Sequence, residues 1–486
     1  MTDTPAGLSG QEPPAGQRFQ AGRLALLAGS TSALITAGVL GSALGLTNKW
    51  ACRAGAWNGY LTQFQAHCYT DIYPLYFNEG LSAGKVPYAD HPVEYPVLIG
   101  GAMQLVGWLV RPISDPFVRG REFFDVTVVL LSIFFVAGVL ATGYLAGRSR
   151  RWTALGVALA PAVILGAFIN WDLVAMSLAM LGMAAWAARR GVLAGVLIGL
   201  AVATKFYPLL FLGPLLLLCW RAGRMRQFWV TAGSAAAAWL VVNVPVMIIA
   251  PSGWARFYLL SESRSADWGS IWYFFETEHW PLVGTTNLHS LNALSSLVFL
   301  AACLGIALLI MAAPRRPRLP QAFFLVLAAF LLFNKVWSPQ YVVWLAPLVV
   351  LARPRFGAYA LWQLAEVGYF FAIWAYLITV SVTGPAAVDG ISSGLYFTAL
   401  LARFLTVLLL CALVIRDILH PAGDVVRAGG ADDPAGGVLT GAADKVVLRL
   451  PRQKRAPPTG LRSAERGTSD KRRGKSVGTS APEAQN

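Results

Sequence analysis

Long apolar runs without charged side chains alternate along this chain with short clusters of arginine and lysine. The first run extends from Leu24 to Leu46, and a helix over it would measure about 34 Å at 1.5 Å per residue. That length exceeds the hydrocarbon core of a bilayer, which is about 30 Å thick. We therefore predict a transmembrane helix here, and Arg18 and Arg23 before it place the N-terminus in the cytoplasm.

The next two apolar runs present a choice of topology. Residues 96–110 form a short run that contains Gln104, whereas residues 123–147 form a full-length run followed by an arginine cluster at 148–151. If both runs crossed the membrane, this cluster would lie outside, against the positive-inside rule. We therefore interpret 96–110 as an interfacial or re-entrant helix within a long external loop.

The remaining apolar runs complete the predicted bundle. They lie near 153–169, 173–187, 192–204, 207–220, 228–250, 288–312, 319–334, 340–352, 357–380 and 395–416. With this assignment the short basic clusters all fall in cytoplasmic turns. The predicted fold is an all-α polytopic membrane protein with about twelve transmembrane helices and a long first external loop that carries interfacial helices.

The composition excludes soluble classes of protein. Hydrophobic residues make up 56% of the 486 residues and charged residues only 13%, whereas about 25% charged residues is usual for soluble domains. Too few polar side chains remain to cover a soluble enzyme, a DNA-binding protein or a fibre. The formal charge of +15 lies largely in cytoplasmic turns and the C-terminal tail, so we expect the bilayer of the plasma membrane as partner and no nucleic acid.

The two ends of the chain differ in composition from the apolar middle. Residues 1–23 and 417–486 are rich in Gly, Ala and Pro, and the second segment also carries runs of Lys and Arg. We predict that both are disordered and cytoplasmic, around a transmembrane domain at 24–416. The basic tail could instead be attracted to anionic lipid, with about 1 kcal/mol per basic residue near the surface.

The first external loop, residues 47–122, places carboxylates among aromatic side chains. Asp71 lies between Tyr69 and Tyr73. A carboxylate in such surroundings can be desolvated and act as a general base. An aspartate shortly before a proline also suits the start of a helix, so Asp71 could equally cap a helix that begins at Tyr73–Pro74.

Other side chains on the external face are candidates for positioning a sugar or an acceptor. In the first external loop they are Tyr76, Asp90, His91 and Glu94. Asp172, in an Asn-Trp-Asp segment between two spans, is a further candidate, although it could simply cap the next helix.

Cys52 and Cys68 face an oxidising exterior and close a short loop. A disulfide between them would stiffen the approach to Asp71. A metal site with His67 and His91 is the alternative, but the spacing matches no standard zinc pattern. We therefore expect no divalent metal and no other cofactor.

Three basic side chains have unusual positions. Lys205 and Lys335 lie at the outer ends of spans, where each could hold the phosphate of a lipid or simply extend to the headgroups. Arg403 lies inside a span, as does Glu366 in the preceding one. The two could form an ion pair, or Arg403 could reach a lipid phosphate. The external loop 251–287 combines Trp with charged residues, which suits either sugar binding or an interfacial aromatic belt.

Over roughly residues 24–416 the chain resembles the GT-C superfamily of membrane glycosyltransferases, and within it glycosyltransferase family 87. The resemblance rests on the order of TDIYPLYFNEGL, VPYADHPVEYPVL, NWD, GVLIGLAVATKFYPLL and NKVWSPQYVVWLAPL. Members of that family are polyprenyl-phosphate-mannose-dependent α-mannosyltransferases of the cell envelope. The resemblance implies that Asp71 is the catalytic base, that Asp90 or Glu94 assists it, and that Lys205 matches a lysine of the family pattern.

The resemblance also implies an inverting reaction on the external face. A polyprenyl-phosphate hexose, with mannose as the first candidate, would enter from the outer leaflet, and Asp71 would deprotonate a hydroxyl of an envelope glycolipid or glycan acceptor. Lys205, with Lys335 or Arg403, would stabilise the departing phosphate. The alternatives are another lipid-linked sugar, such as arabinofuranose or glucose, and a lipid-linked-sugar transporter or flippase.

Overall fold

The computed structural model describes residues 26–59, 61–280, 287–381, 390–428 and 432–448, which are helical and contain no β-strand. In chain order the α-helices are α1 (Thr31–Arg53), α2 (Thr62–Gln65), α3 (Ile72–Asn78), α4 (Val97–Val110), α5 (Pro116–Leu145), α6 (Leu155–Ala158), α7 (Pro161–Gly166), α8 (Asp172–Ala187), α9 (Gly191–Val202), α10 (Leu212–Arg221), α11 (Met225–Ile249), α12 (Pro251–Ser263), α13 (Ile271–Thr277), α14 (Leu288–Ala312), α15 (Leu319–Phe333), α16 (Val342–Ala352), α17 (Phe356–Ser381) and α18 (Ser393–Leu419).

Five helices of the described residues are long and apolar enough to cross a bilayer: α5, α11, α14, α17 and α18. Shorter apolar helices pack between them, and α8, α15 and α16 are buried on nearly all sides. In contrast, α11 and α14 expose most of their apolar side chains, as helices that face lipid do. The prediction of an all-helical membrane protein is confirmed, whereas the count of about twelve spans and the orientation of the termini stay predictions.

Helix α1 differs from its predicted span at both ends. It begins at Thr31, because the Ser30 side chain caps it by accepting a hydrogen bond from the Ala33 backbone N–H at 3.2 Å. It continues beyond Leu46 for two further turns, which carry polar side chains. The predicted disordered segment 1–23 lies outside the described residues.

The predicted span at 153–169 is not a single helix. A 3₁₀ segment at Arg148–Ala154 leads into α6 and α7, which are separated by a break at Ala160 and Pro161. Proline has no N–H to donate, and Ala160 before it adopts an extended backbone with ψ 120°. The chain therefore reaches residues 167–171 as a broken helix, and this segment contributes to the site described below.

Residues 96–110 form helix α4, which has 14 residues. A helix needs about 20 residues to cross a bilayer, so α4 is short for a span. Its Leu98 N–H donates a hydrogen bond of 3.0 Å to the Ala203 carbonyl, which fixes its start against the end of α9. The interfacial or re-entrant placement of this segment stays a prediction.

The segment 417–486, predicted to be disordered, is ordered in its first part. Asp424 pairs with Arg318 at 2.7 Å, and Asp444 pairs with Arg221 at 2.7 Å. Residues up to 428 and from 432 to 448 therefore pack against helix ends, because their carboxylates meet arginines that lie between the apolar helices. The transmembrane domain thus extends beyond its predicted boundary, and the remainder of the tail lies outside the described residues.

Candidate active site

A cavity of about 790 Å³ opens among the ends of several helices. Its volume falls within the range of about 300–1,000 Å³ that is typical of sites for small ligands. The acidic and basic side chains that line it are Asp71, Glu94, Lys205, Arg264, Asp267 and Lys335, and its tyrosines are Tyr69, Tyr95, Tyr207, Tyr258, Tyr341 and Tyr369. Helix α17 adds Ile373, Trp374, Leu377 and Val380, whose spacing puts them on one helix face. The cavity therefore combines a charged surface with an apolar one.

Asp71 occupies the N-cap position of α3, but its side chain makes no capping hydrogen bond within the described residues. Its backbone N–H donates to the Ile169 carbonyl at 2.7 Å, which ties it to the broken-helix segment. The carboxyl accepts a hydrogen bond of 2.6 Å from the Tyr69 hydroxyl and a long one of 3.5 Å from the Tyr95 hydroxyl. The Asp71 carboxyl thus faces the cavity and does not cap the helix backbone, which favours the first of the two interpretations of Asp71.

The surroundings of Asp71 change its acidity. Burial raises the pKa of the Asp71 carboxyl above its ordinary value, while the Tyr69 hydrogen bond and the charge of Lys205 oppose that shift. The nearby Asp172 carboxylate adds to the increase in the Asp71 pKa. A carboxylate with a raised pKa is a better proton acceptor at neutral pH than an exposed one.

Lys205 and Asp172 form an ion pair beside Asp71. The two side chains are 2.8 Å apart, and both are largely buried. Asp172 is the first residue of α8, where its charge also interacts favourably with the positive end of the helix dipole. The Lys205 ammonium lies 5.1 Å from the centre of the Tyr95 ring, so Tyr95 contacts both the candidate base and the candidate phosphate ligand.

Two further charged residues, which the sequence analysis did not single out, line the cavity. The Asp267 carboxyl accepts hydrogen bonds from the backbone N–H groups of Gly269 and Trp337, which fix its position. A Cβ at Gly269 would lie 2.1 Å from the Trp337 carbonyl oxygen, so this turn requires glycine. Arg264, three residues earlier, also lines the cavity. Both lie in the charged loop 251–287, where no pattern distinguished them from their neighbours.

Lys335 also lines the cavity but has its own partners. Its ammonium donates to the Glu262 carbonyl at 2.7 Å and to the Asn292 side chain at 2.5 Å. These bonds join Lys335, which lies just after α15, to helices α12 and α14. Burial lowers the pKa of Lys335. In this arrangement Lys335 holds the wall of the cavity together.

The other loop candidates are distributed unevenly. Glu94 lines the cavity and lies 3.7 Å from Arg264. Asp90 is exposed and accepts a hydrogen bond from a backbone N–H within its own turn, whereas Tyr76 is buried in the apolar core. His91 lies 3.4 Å from the buried Glu79. The structure does not bring these three candidates, Tyr76, Asp90 and His91, to the cavity.

Arg403 forms an ion pair with Glu366 at 2.9 Å, and both side chains are buried. Its guanidinium also donates to the carbonyls of Trp337 and Ser338, at 2.9 and 3.1 Å. Of its two predicted roles, the structure shows the ion pair. Arg403 therefore supports the segment 337–338 from behind the cavity wall.

The two cysteines of the first external loop, Cys52 and Cys68, are joined by a disulfide. Those two thiols are accordingly not metal ligands here. Among the residues that the structure describes, no group of three or more His, Cys, Asp or Glu side chains is arranged to hold a metal ion. The expectation that the protein needs no divalent metal stays a prediction.

Comparison with known protein families gives a match over part of the chain. Residues 116–339 match the family model of glycosyltransferase family 87. The matched region contains Asp172, Lys205, Asp267 and Lys335, and it begins after Asp71. No curated protein matches the chain. Together with the apolar helices, the family match supports a membrane-embedded glycosyltransferase.

Proposed function

We propose that the protein transfers a hexose, with mannose as the first candidate, from a polyprenyl-phosphate sugar to a glycolipid or glycan of the cell envelope. The family match supports the reaction class. The observation that carries the proposal is a single cavity in which Tyr95 contacts both Asp71 and Lys205, beside the apolar face of α17. A donor that joins a phosphate to a lipid chain needs both a cationic and an apolar surface.

In the proposed mechanism Asp71 is the general base. Its carboxylate takes the proton of an acceptor hydroxyl while the hydroxyl oxygen attacks the anomeric carbon from the face opposite the phosphate. The new C–O bond forms as the bond between the anomeric carbon and the phosphate oxygen breaks, so the configuration inverts. The phosphate leaves as an anion and needs no proton donor, so one carboxylate is sufficient, unlike the pair in glycosidases.

Lys205 and Arg264 are the proposed ligands of the donor phosphate. A lysine ammonium has three hydrogen-bond donors, so Lys205 can keep its bond to Asp172 and still bind a phosphate oxygen. Arg264 is half-exposed, and its contact with Glu94 is long at 3.7 Å, so its guanidinium is free to turn to the phosphate. Cations in these positions stabilise the charge that develops on the leaving group.

Asp267 is the proposed ligand of a sugar hydroxyl. Two backbone N–H groups hold its carboxyl in place, so it is preorganised before the donor binds. Trp268, the next residue, also lines the cavity and offers a ring for stacking against the sugar. A fixed carboxylate needs a hydrogen bond from a sugar hydroxyl when the donor binds. Such a site discriminates strongly against sugars that lack a hydroxyl at that ring position.

The apolar face of α17 is the proposed path of the polyprenyl chain. Ile373, Leu377 and Val380 follow one another at spacings of three and four residues along the cavity wall. The same surface would accept another lipid-linked sugar, such as arabinofuranose or glucose, because the chain is common to all of these donors. A transporter of the same lipid would use this surface without forming a glycosidic product.

The experiment that tests the proposal uses the full-length protein in lipid nanodiscs, a radiolabelled polyprenyl-phosphate mannose and an envelope lipid and glycan extract. We expect a labelled product with wild type and a loss of at least about a hundredfold with Asp71→Asn. Glu278→Gln, at an exposed carboxylate outside the cavity, is the matched control and should keep full activity. Full activity of Asp71→Asn would rule out the assigned base.

Parallel reactions with polyprenyl-phosphate glucose and arabinofuranose identify the donor. Movement of intact donor across a proteoliposome membrane, without a product, would instead indicate a transporter.

A further inference from the structure

Three side chains at the end of α1 hold consecutive residues of the loop that precedes Asp71. The Asn48 side chain donates to the His67 carbonyl at 3.2 Å, and the Lys49 ammonium donates to the Tyr69 carbonyl at 2.8 Å. Between these two contacts, Cys52 is bonded to Cys68. We call Asn48, Lys49 and Cys52 the α1 clamp.

The burial of Lys49 is unusual for a lysine. Its side chain is completely inaccessible to solvent, although a buried charge is costly unless other groups compensate for it. Burial lowers the pKa of Lys49 to about 7, and the acidic side chain whose charge opposes this shift is Asp71. The Phe370 ring lies 5.7 Å from the ammonium and provides a cation–π contact. The Lys49 ammonium is therefore held by the Tyr69 carbonyl and the Phe370 ring, at a place where its charge also interacts with the candidate base.

Tyr69 connects Lys49 to Asp71 through its carbonyl and its hydroxyl. Its carbonyl accepts the Lys49 hydrogen bond, and its hydroxyl donates to Asp71 at 2.6 Å. Its ring stacks on Trp374 with the ring centres 4.6 Å apart. A shift of the Tyr69 backbone would therefore also move the hydroxyl that orients the base.

We propose that Lys49 is a positioning residue for Asp71, which it serves by anchoring Tyr69 and by favouring the carboxylate form of Asp71 with a buried positive charge. This inference rests on the role of Asp71 under "Proposed function". It concerns how the base is held and kept ionised, which neither the family match nor the sequence pattern addresses.

Several groups besides Lys49 influence the ionisation of Asp71. They come from each element packed around it and are Tyr69, Tyr95, Asp172, Lys205 and Arg264. Lys205 and Arg264 favour the carboxylate, whereas Asp172 opposes it. Lys49 adds a positive charge that interacts with Asp71. Removal of the Lys49 charge should leave the cavity cations in place and raise the pH at which Asp71 loses its proton.

The test is the pH dependence of kcat/KM for sugar transfer by the full-length protein in nanodiscs. For Lys49→Met we expect the acid limb of this pH profile, where activity falls as the pH falls, to move to higher pH by at least about half a unit. We also expect kcat to fall about tenfold while the donor KM stays within about twofold of wild type. Lys49→Arg keeps the charge and should keep the limb near its wild-type position. Asn48→Leu removes a neighbouring contact of the α1 clamp without a charge, so it should not move the limb.

A wild-type acid limb and kcat for Lys49→Met would overturn the inference, as would an equal shift of the limb in Asn48→Leu. If Lys49→Met does not fold, Lys49→Gln replaces it in the same series, and failure of both neutral variants to fold would show that Lys49 serves only the fold. Asp71→Asn in the same assay distinguishes failure of the proposed function from failure of the Lys49 inference. An active Asp71→Asn contradicts the proposed function, whereas an inactive one with an unshifted Lys49→Met contradicts only the role of Lys49.

Discussion

The Tyr69 hydroxyl donates a hydrogen bond of 2.6 Å to Oδ1 of Asp71, two residues further along the chain. A hydrogen bond to the ionised form of a carboxyl favours that form, and here it counteracts the effect of burial, which raises the Asp71 pKa. Tyr69 therefore sets how far the proposed base remains ionised when the pH falls.

This relationship predicts a pH effect for Tyr69→Phe. A general base works only when deprotonated, so activity is lost as the pH falls through the raised pKa of Asp71. Without the Tyr69 hydroxyl that pKa rises further, so the acid limb of kcat/KM should move to higher pH by about one unit. Tyr73→Phe is the control, because Tyr73 stacks on Trp57 and does not bond to Asp71. An unchanged limb in Tyr69→Phe would contradict this account of the Asp71 pKa.

A second prediction separates the catalytic role of Lys205 from its structural role. Lys205→Met should lower kcat for sugar transfer by about a hundredfold, because a cation at the leaving group is lost. It should also destabilise the protein, because Asp172 then remains buried without its partner.

The double variant Lys205→Met/Asp172→Asn removes both charges and provides the control for that loss of stability. We expect it to recover thermal stability in detergent while staying inactive. Recovery of activity together with stability would show that Lys205 serves the fold alone and does not bind the phosphate.

A third prediction concerns Asp267 and donor choice. Asp267→Asn keeps the shape of the side chain but removes the charged carboxylate that would accept a hydrogen bond from a sugar hydroxyl. We therefore expect kcat/KM for the preferred donor to fall by at least about tenfold. Discrimination against donors that lack that hydroxyl should weaken in competition assays. Glu262→Gln is the comparison, since the hydrogen bond from Lys335 is accepted by the Glu262 backbone carbonyl, which the substitution keeps. Equal losses in the two variants would remove the case for sugar recognition by Asp267.

The sequence analysis located the apolar helices from hydrophobicity, and it selected Asp71 and Lys205 because each departs from its surroundings. It could not select Asp267 or Lys49, because their significance depends on contacts between distant segments. Asp267 is one of several charges in its loop, and only the backbone N–H groups of Gly269 and Trp337 distinguish it. Broken helices such as the one at Pro161 also escape a hydropathy pattern, which measures polarity and not backbone geometry.

The contacts of residues 417–428 and 432–448 could not be predicted for a similar reason. Their composition is typical of disordered tails, because they are rich in Gly and Ala and contain no Phe, Trp, Tyr or Met. Their carboxylates are nevertheless held by arginines at the ends of helices. Pairing of this kind depends on tertiary structure and leaves no local pattern in the sequence.

The pairing of Arg318 with Asp424 therefore gives a fourth prediction. Both side chains are almost completely buried, and Asp424 accepts hydrogen bonds of 2.7 and 3.1 Å from the guanidinium. Asp424→Ala leaves Arg318 buried without the carboxylate that is hydrogen-bonded to it, which should lower the free energy of unfolding by about 3–5 kcal/mol. Thermal unfolding of the purified protein in detergent, followed by intrinsic tryptophan fluorescence, measures the change.

The matched comparison is Arg315→Gln, whose pair with Asp432 is partly exposed and should contribute at most about 1 kcal/mol. A disordered segment would make Asp424→Ala as harmless as Arg315→Gln, because a carboxylate that makes no fixed contact in the folded state cannot stabilise it. A clear difference between the two variants would therefore demonstrate that the segment around Asp424 is an integral part of the folded domain, and equal midpoints would contradict the buried pair.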